Sequence, residues 1–288
     1  KRMRPLTAST PKPLVRVAGR PLIDRALDRL EEAGVSRAVV NVHYLADAIE
    51  AHIASRKAPS ITFSDERDAL LETGGGMVKA CDAGMLPDPF FACTADSIRL
   101  DGPRNAFADL STAWDPEHMD ALLLVVTHAR AHNFDGTGDF YMDGAGRLKR
   151  KLPGRIAPFI YTGIQLVSHR LLRDAPDGKF STNVLWNRAI EEGRLYGLAF
   201  TGHWYEVGTP NHIRLARLTL LLPSSRARRT VSEAFIRHAG EQGNPGLLMP
   251  RMAVVGDLDL DEALGPLLDP LGADIPAAVD PQRRLFAL

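Results

Sequence analysis

The sequence predicts an α/β protein: a mixed, mostly parallel sheet covered by helices on both faces. Residues 22–33 place Leu22, Ile23, Ala26, Leu27, Leu30 and Ala33 on one face of a helix, with Gly34 where a C-cap belongs. Apolar runs at 89–96 and 121–126 read as buried strands. Strand and helix patterns alternate at intervals that call for crossover connections rather than a run of hairpins.

Taken in order, Pro21 suits the first position of the helix. A strand is expected at 36–44, a helix at 45–53, a strand at 60–63 and a helix at 75–85 entered through glycines. The strand at 89–96 ends in a carboxylate, and another follows at 121–126. Residues 139–150 read as a hairpin turning at Asp143-Gly144. Next come a strand at 159–167, a helix at 183–193 and strands at 195–200 and 203–207. A helix at 210–217 precedes a change of character: a fresh strand near 218–222, a basic amphipathic helix over 224–240, and a less regular remainder rich in Leu, Asp and Pro. Two domains are therefore expected, 1–217 and 218–288.

Lysine plus arginine and aspartate plus glutamate each number 35 in the 288 residues, so global charge favours neither a nucleic-acid coat nor a membrane surface. Hydrophobic residues make up 45% and charged residues 24%, the balance of a soluble globular chain. Cys81 and Cys93 read as buried reduced thiols rather than a disulfide scaffold. The longest apolar run, 121–126, is far too short to span a bilayer. A cytoplasmic protein is expected.

Ligands of open α/β sheets bind at the carboxyl ends of the strands. LETGGG at 71–76 lies between a strand and a helix, where glycines allow close backbone approach to a flat or anionic ligand; a flexible turn is the alternative. Asp96 and Glu206 each end a strand, and two such carboxylates could share one hard cation with a polyphosphate. Asp96 equally suits a helix N-cap or a solvated loop. Residues 1–23 carry six cationic side chains and four prolines. Arg2, Arg4 and Lys12 would bring positive charge to phosphate oxygens from an extended leader, unless they belong to a solvated terminus. His128 and His132 stand four apart with no third ligand pattern, as ordinary histidines do.

Together, Arg2-Met3-Arg4-Pro5-Leu6-Thr7, Thr10-Pro11-Lys12-Pro13-Leu14, LETGGG, the strand ending in Asp96, GDF (138–140), YTGI (161–164) and HWYEVGTP (203–210) resemble the sugar-1-phosphate nucleotidyltransferase family. They are most similar to its branch that uridylylates N-acetylmuramate 1-phosphate in peptidoglycan recycling. The resemblance covers about residues 1–217 and implies a Rossmann-like nucleotide-diphospho-sugar transferase fold. It also implies attack of a sugar 1-phosphate on the α-phosphorus of a nucleoside triphosphate, UTP by first choice. On this resemblance Arg2 steadies the leaving pyrophosphate and Lys12 bridges the α-phosphate and the sugar phosphate. Thr73, Gly74, Gly75 and Gly76 bracket the base through backbone contacts. Asp139 and Gly163 face the sugar, and Asp96 with Glu206 holds Mg²⁺. GTP with mannose 1-phosphate is the rival pair, and a catalytically impaired nucleotide-binding module is the rival from another class.

The chain departs from the family's pattern in three places. Its first residues fall inside the phosphate-loop motif, so a first strand is expected to be missing. Thr94 stands where relatives carry asparagine, and Glu206 where they commonly carry aspartate. The tail, LTLLLPSSRARRTVSEAFIRHAG followed by LLMPRMAVVGDLD, resembles the start of the helicase-like subunit of a bacterial double-strand-break repair nuclease, with an irregular C-terminal extension as the alternative. No nucleic-acid partner is expected for the main domain.

Overall fold

The computed structural model describes residues 7, 9–17, 19–101, 105–209, 219–222, 229 and 251–254. It divides into two units, Lys1–Ile213 and Arg214–Leu288. The first opens with a 3-10 turn over Lys12–Leu14 and a short ribbon, β1 (Arg16–Val17) against β2 (Arg20–Pro21). Helix α1 (Leu22–Glu32) buries Leu22, Ile23, Ala26, Leu27 and Leu30, the face its period defines. Strand β3 (Arg37–Val42), α2 (Ala46–Ile53) and β4 (Ser60–Asp65) form a βαβ unit in which β3 and β4 pair in parallel. Then come α3 (Glu72–Asp82), β5 (Phe90–Cys93), β6 (Ser97–Leu100), α4 (Ala106–Ala113), β7 (Ala121–Thr127) and β8 (Ala131–His132). The hairpin of β9 (Phe140–Met142) and β10 (Leu148–Arg150) leads to β11 (Phe159–Val167), α5 (His169–Leu172), α6 (Asn183–Glu191), β12 (Leu195–Ala199) and β13 (His203–Glu206).

The α/β class holds. The main sheet runs β10-β9-β11-β7-β12, with β5 also on β11. Strand β12 is parallel to β7, and β11 is antiparallel to β5, β7 and β9. A second sheet has the order β6-β13-β8. Among the described residues β3 pairs only with β4, and β5 only with β11, so each keeps one edge without a strand partner.

Strand β7 explains why both faces carry helices. Its apolar run is buried on both sides. Leu122, Leu124 and Val126 join one core with α1, α2 and α4, while Ala121, Leu123 and Val125 join the other with α5 and α6. A two-residue period in an unbroken apolar run needs cover on each side.

The helix expected at 75–85 lies three residues earlier, at Glu72–Asp82, and so takes in the whole glycine triplet. Gly74, Gly75 and Gly76 lie inside α3, in its first turns, and are buried. The helix starts earlier because the segment carrying Gly178 and Phe180 packs directly on the triplet. The amides of Gly74 and Gly75 both donate to the Phe180 carbonyl, at 3.0 and 3.3 Å. The 139–150 hairpin also has a longer turn than Asp143-Gly144. Asp143 Oδ1 accepts from the amides of Ala145 and Arg147, and Gly146 takes φ +85°.

In the second unit β14 (Thr219–Leu222) and β15 (Arg251–Val254) pair in parallel. The expected helix at 210–217 lies outside the described residues, as does nearly all of 224–240. Among the described residues no helix is long and apolar enough to cross a membrane.

A Cβ on Gly75 would stand 2.1 Å from the Gly178 carbonyl oxygen, a backbone atom with little room to retreat. Gly75→Ala is expected to cost about 1–3 kcal/mol of stability, measured as a lowered midpoint in chemical denaturation.

Candidate active site

The leader reaches the sheet through a stiff turn. Pro11 precedes the 3-10 segment, Leu14 N donates to Pro11 O at 2.9 Å, and Val15 N donates to Lys12 O at 3.1 Å. Val15, Val17, Leu22 and Val207 form a small buried cluster against which Ile98 packs. Each strand of the site contributes to that cluster: Val15 follows Lys12 by three residues, Ile98 follows Asp96 by two, and Val207 follows Glu206 directly. The cluster draws the three charged residues into one neighbourhood.

Lys12 Nζ lies 3.0 Å from Asp96 Oδ2, with the side chains 33% and 48% exposed. Exposed pairs of this kind contribute about 0–1 kcal/mol, so the pair does little for stability and leaves both groups open to a ligand. Strand β13 runs antiparallel to β6 with Glu206 opposite Ser97, and Val207 N donates to Asp96 O at 3.1 Å. Glu206 therefore ends its strand beside Asp96. Asn133 fastens it from the other side: buried, at φ +64°, it donates from Nδ2 to the Glu206 carbonyl at 3.2 Å.

The expected strand to Asp96 stops at Cys93, so Asp96 lies in the bend between β5 and β6 while Glu206 ends β13; their hard carboxylate oxygens form a donor set that fits a divalent cation of the magnesium or calcium type. No group of three or more His, Cys, Asp or Glu suited to a metal occurs among the described residues. A cation held by this pair would draw its remaining ligands from water or phosphate.

Gly163 sits in a break of register between β11 and β7, at φ +87°, where a Cβ would stand 2.3 Å from Thr94 Oγ1. Its carbonyl accepts from Thr94 N at 2.9 Å. The glycine thus lies across from the residue two before Asp96. Asp139 Oδ2 accepts from Tyr161 N at 2.8 Å, two residues before Gly163. Both expected sugar residues hence belong to the neighbourhood of β11 and the end of β5.

Thr73, Gly74, Gly75 and Gly76 make their contacts elsewhere. The Gly74 and Gly75 amides are committed to Phe180, and Thr73 Oγ1 accepts from Thr182 N at 3.1 Å. This corrects the expectation that the triplet's amides stand open to a base; Thr73 is the exposed member of the four. Arg2 and Arg4 lie outside the described residues.

Three groups of this region are given no role in the sequence reading. Glu66, buried, accepts from Asn41 Nδ2 at 2.6 Å and from Leu71 N at 3.0 Å, tying β3 and β4 to the turn before α3. Arg150 lies over the rings of Phe140 and Trp186, at 4.8 and 5.5 Å, and donates to Asn187 Oδ1. Burial, then the neighbouring Cys93 and Asp96, push the Tyr161 phenol far above its ordinary range, so it stays protonated and uncharged. Asn133 is the fourth such residue. Isolated in the sequence, each looks like an ordinary polar residue.

The model of the MobA-like NTP transferase domain matches residues 1–198. The N-acetylmuramate alpha-1-phosphate uridylyltransferase of Caulobacter vibrioides is 44% identical over 213 residues, covering 73% of this chain and 88% of that protein. Its counterpart in Neisseria meningitidis is 32% identical over 226 residues, covering 75% of this chain and 92% of that one. Among solved structures, a putative glucose-1-phosphate thymidylyltransferase from Bacillus anthracis in complex with a sucrose matches with a TM-score of 0.62 at 17% identity, over 75% of this chain and 88% of that one. At that identity the likeness carries the fold alone.

Val207→Ala removes apolar contact from the cluster that holds the three charged groups. It is expected to cost about 1–2 kcal/mol of stability. A shift of the strand ends also costs rate, about tenfold or more, so kcat should fall by this amount under conditions where the variant remains folded.

Proposed function

We propose that this chain, which belongs to the MobA-like NTP transferase family, transfers a uridylyl group from UTP to N-acetylmuramate 1-phosphate and releases pyrophosphate. Nucleotidyl transfer to a sugar 1-phosphate rests on the family and on relatives that share most of their length with this chain. The choice of base and sugar rests on the names of the two relatives above, and a role in peptidoglycan recycling in the cytoplasm follows from the same choice. The transferase domain in this reading is 1–217, with 218–288 an appended segment.

The Lys12–Asp96 pair beside Glu206 is the observation that carries the proposal. In-line transfer forms a bond from a sugar-phosphate oxygen to the α-phosphorus and breaks the bond from that phosphorus to the oxygen of pyrophosphate. No covalent enzyme intermediate is needed, so positioning and charge neutralisation supply the rate. Lys12 neutralises α-phosphate and sugar-phosphate oxygens. Arg2, in the leader, meets the leaving pyrophosphate. Thr73, at the exposed start of α3, faces the base. Asp139 and Gly163 shape the sugar site. Asp96 and Glu206 hold a divalent cation, Mg²⁺ in this proposal, which when bound supplies further neutralisation of phosphate charge.

Pyrophosphate release measured with UTP and N-acetylmuramate 1-phosphate in the presence of Mg²⁺ should exceed that with GTP and mannose 1-phosphate. Lys12→Ala and Asp96→Asn should each lower kcat about 10²–10³-fold, on the scale of removing one preorganised electrostatic group. Preference for the guanylyl pair would replace the assigned substrates. Nucleotide binding with no turnover in the unaltered chain would replace the enzyme by a binding module. Full activity in Asp96→Asn would remove the metal assignment.

A further inference from the structure

Strands β8 and β13 pair in parallel with His132 opposite Tyr205, and His203 stands two residues before Tyr205 on the same strand. Residues two apart in a strand share a face, so His132, His203 and Tyr205 meet on one side of this sheet. Trp204, between the last two, turns the other way and is buried in the core. His132 Nε2 and His203 Nδ1 approach to 2.9 Å, with the ring centroids 5.1 Å apart. The Tyr205 ring stacks on His132 at 4.4 Å and 19°, which holds that imidazole in orientation. His203 is exposed and His132 half-buried, so the pair borders solvent. His128, four residues before His132, turns instead to the Ala157 carbonyl at 2.9 Å.

Only one hydrogen fits between two ring nitrogens at this distance, so at least one of them presents a bare lone pair. Burial, then the neighbouring His203, hold His132 below the ordinary histidine range, which keeps the pair from carrying two charges near neutral pH. A neutral imidazole with a free lone pair is the form that ligates a transition metal. The spacing agrees with that use. Two imidazoles on one tetrahedral ion, with metal–nitrogen bonds of about 2.0–2.1 Å, have ring centroids about 5 Å apart. The two rings already stand at that separation. An ion between them requires a tilt of each ring that carries the nitrogens off their common line.

We propose that His132 and His203 form an accessory site for a divalent transition ion of the zinc type, bound through His132 Nε2 and His203 Nδ1 with water in the remaining positions. On binding, the hydrogen between the rings passes through solvent to the outer nitrogen of its own ring, so a neutral pair takes up the ion with no net loss of a proton. Among the described residues no third His, Cys, Asp or Glu completes the set, which leaves the ion open to water or an external ligand. Imidazole nitrogen suits zinc, copper or nickel, whereas the carboxylates of Asp96 and Glu206 suit a harder ion, so the two sites sort metals by softness. The bound ion clips β8 to β13 just before Asn133 donates to the Glu206 carbonyl. The site does not depend on the transferase reading, because neither histidine has a part in the proposed mechanism.

The test is calorimetric titration of the full chain with zinc chloride at about pH 7.5, in excess Mg²⁺ to occupy the carboxylates. A saturable isotherm with one strong site is expected. Loss of outer-shell partners alone costs metal sites about tenfold or more in affinity, so His203→Gln and His132→Gln, which each remove a ligand, should weaken binding at least that much. Asp96→Asn should leave zinc binding unchanged, as should His118→Ala, which alters an exposed histidine paired with Asp115. Lowering the solution to about pH 5.5 should weaken binding about tenfold, because protons compete for both ring nitrogens. If His132→Gln fails to fold, the exposed His203→Gln decides by the same criterion. Absence of saturable zinc binding, undiminished binding in His203→Gln, its loss in Asp96→Asn or His118→Ala, or equal affinity at the two pH values would each overturn the proposal.

Discussion

Burial of a handful of branched side chains decides where the charges of this protein meet. Val15, Val17, Leu22 and Val207, with Ile98 against them, are contributed by the leader, the start of α1, β6 and the end of β13. None bears a functional group. Yet each segment carries one charged residue a short step away, and the apolar contact fixes the step. A partly exposed lysine and a half-exposed aspartate have too little mutual attraction to hold a leader in place by themselves. The hydrophobic contact supplies the constraint, and the 3.0 Å approach of Lys12 to Asp96 follows from it.

The charged residues were legible in the sequence because strand ends and prolines announce themselves locally. Asp96 closes an apolar run, Glu206 closes another, and Lys12 stands between two prolines. Strand 159–167 was legible for the same reason and is found with those bounds. Groups whose meaning depends on distant partners were not. Asn133 acquires its role only when β8 lies beside β13, and Glu66 only when β3 delivers Asn41. Strand β6 escaped because four residues that alternate between buried and less buried positions give too short a period to recognise.

The glycine triplet shows the other kind of miss. Three glycines in a row favour a loop by intrinsic preference. Here the space is too close for any Cβ: Phe180 and the Gly178 carbonyl press on Gly74 and Gly75, and Glu66 on Gly76. Tertiary contact made the residues helical, and the same contact consumed the amides that a local reading left open. Absence of a side chain served packing density rather than backbone freedom.

Among the described residues β3 and β5 each pair along one margin only, whereas β7 pairs along both. Strand β7 is clasped between β11 and β12, so its amides are released only when much of the domain opens. Among the described residues Phe90–Cys93 is secured along one side only. Isotope exchange should therefore enter the sheet at β5, three residues from Asp96, well before it reaches the centre. Asp96 thus lies next to the less secured part of the framework, and in the proposed reaction the slack for admitting and discharging a bulky anionic substrate would lie beside it.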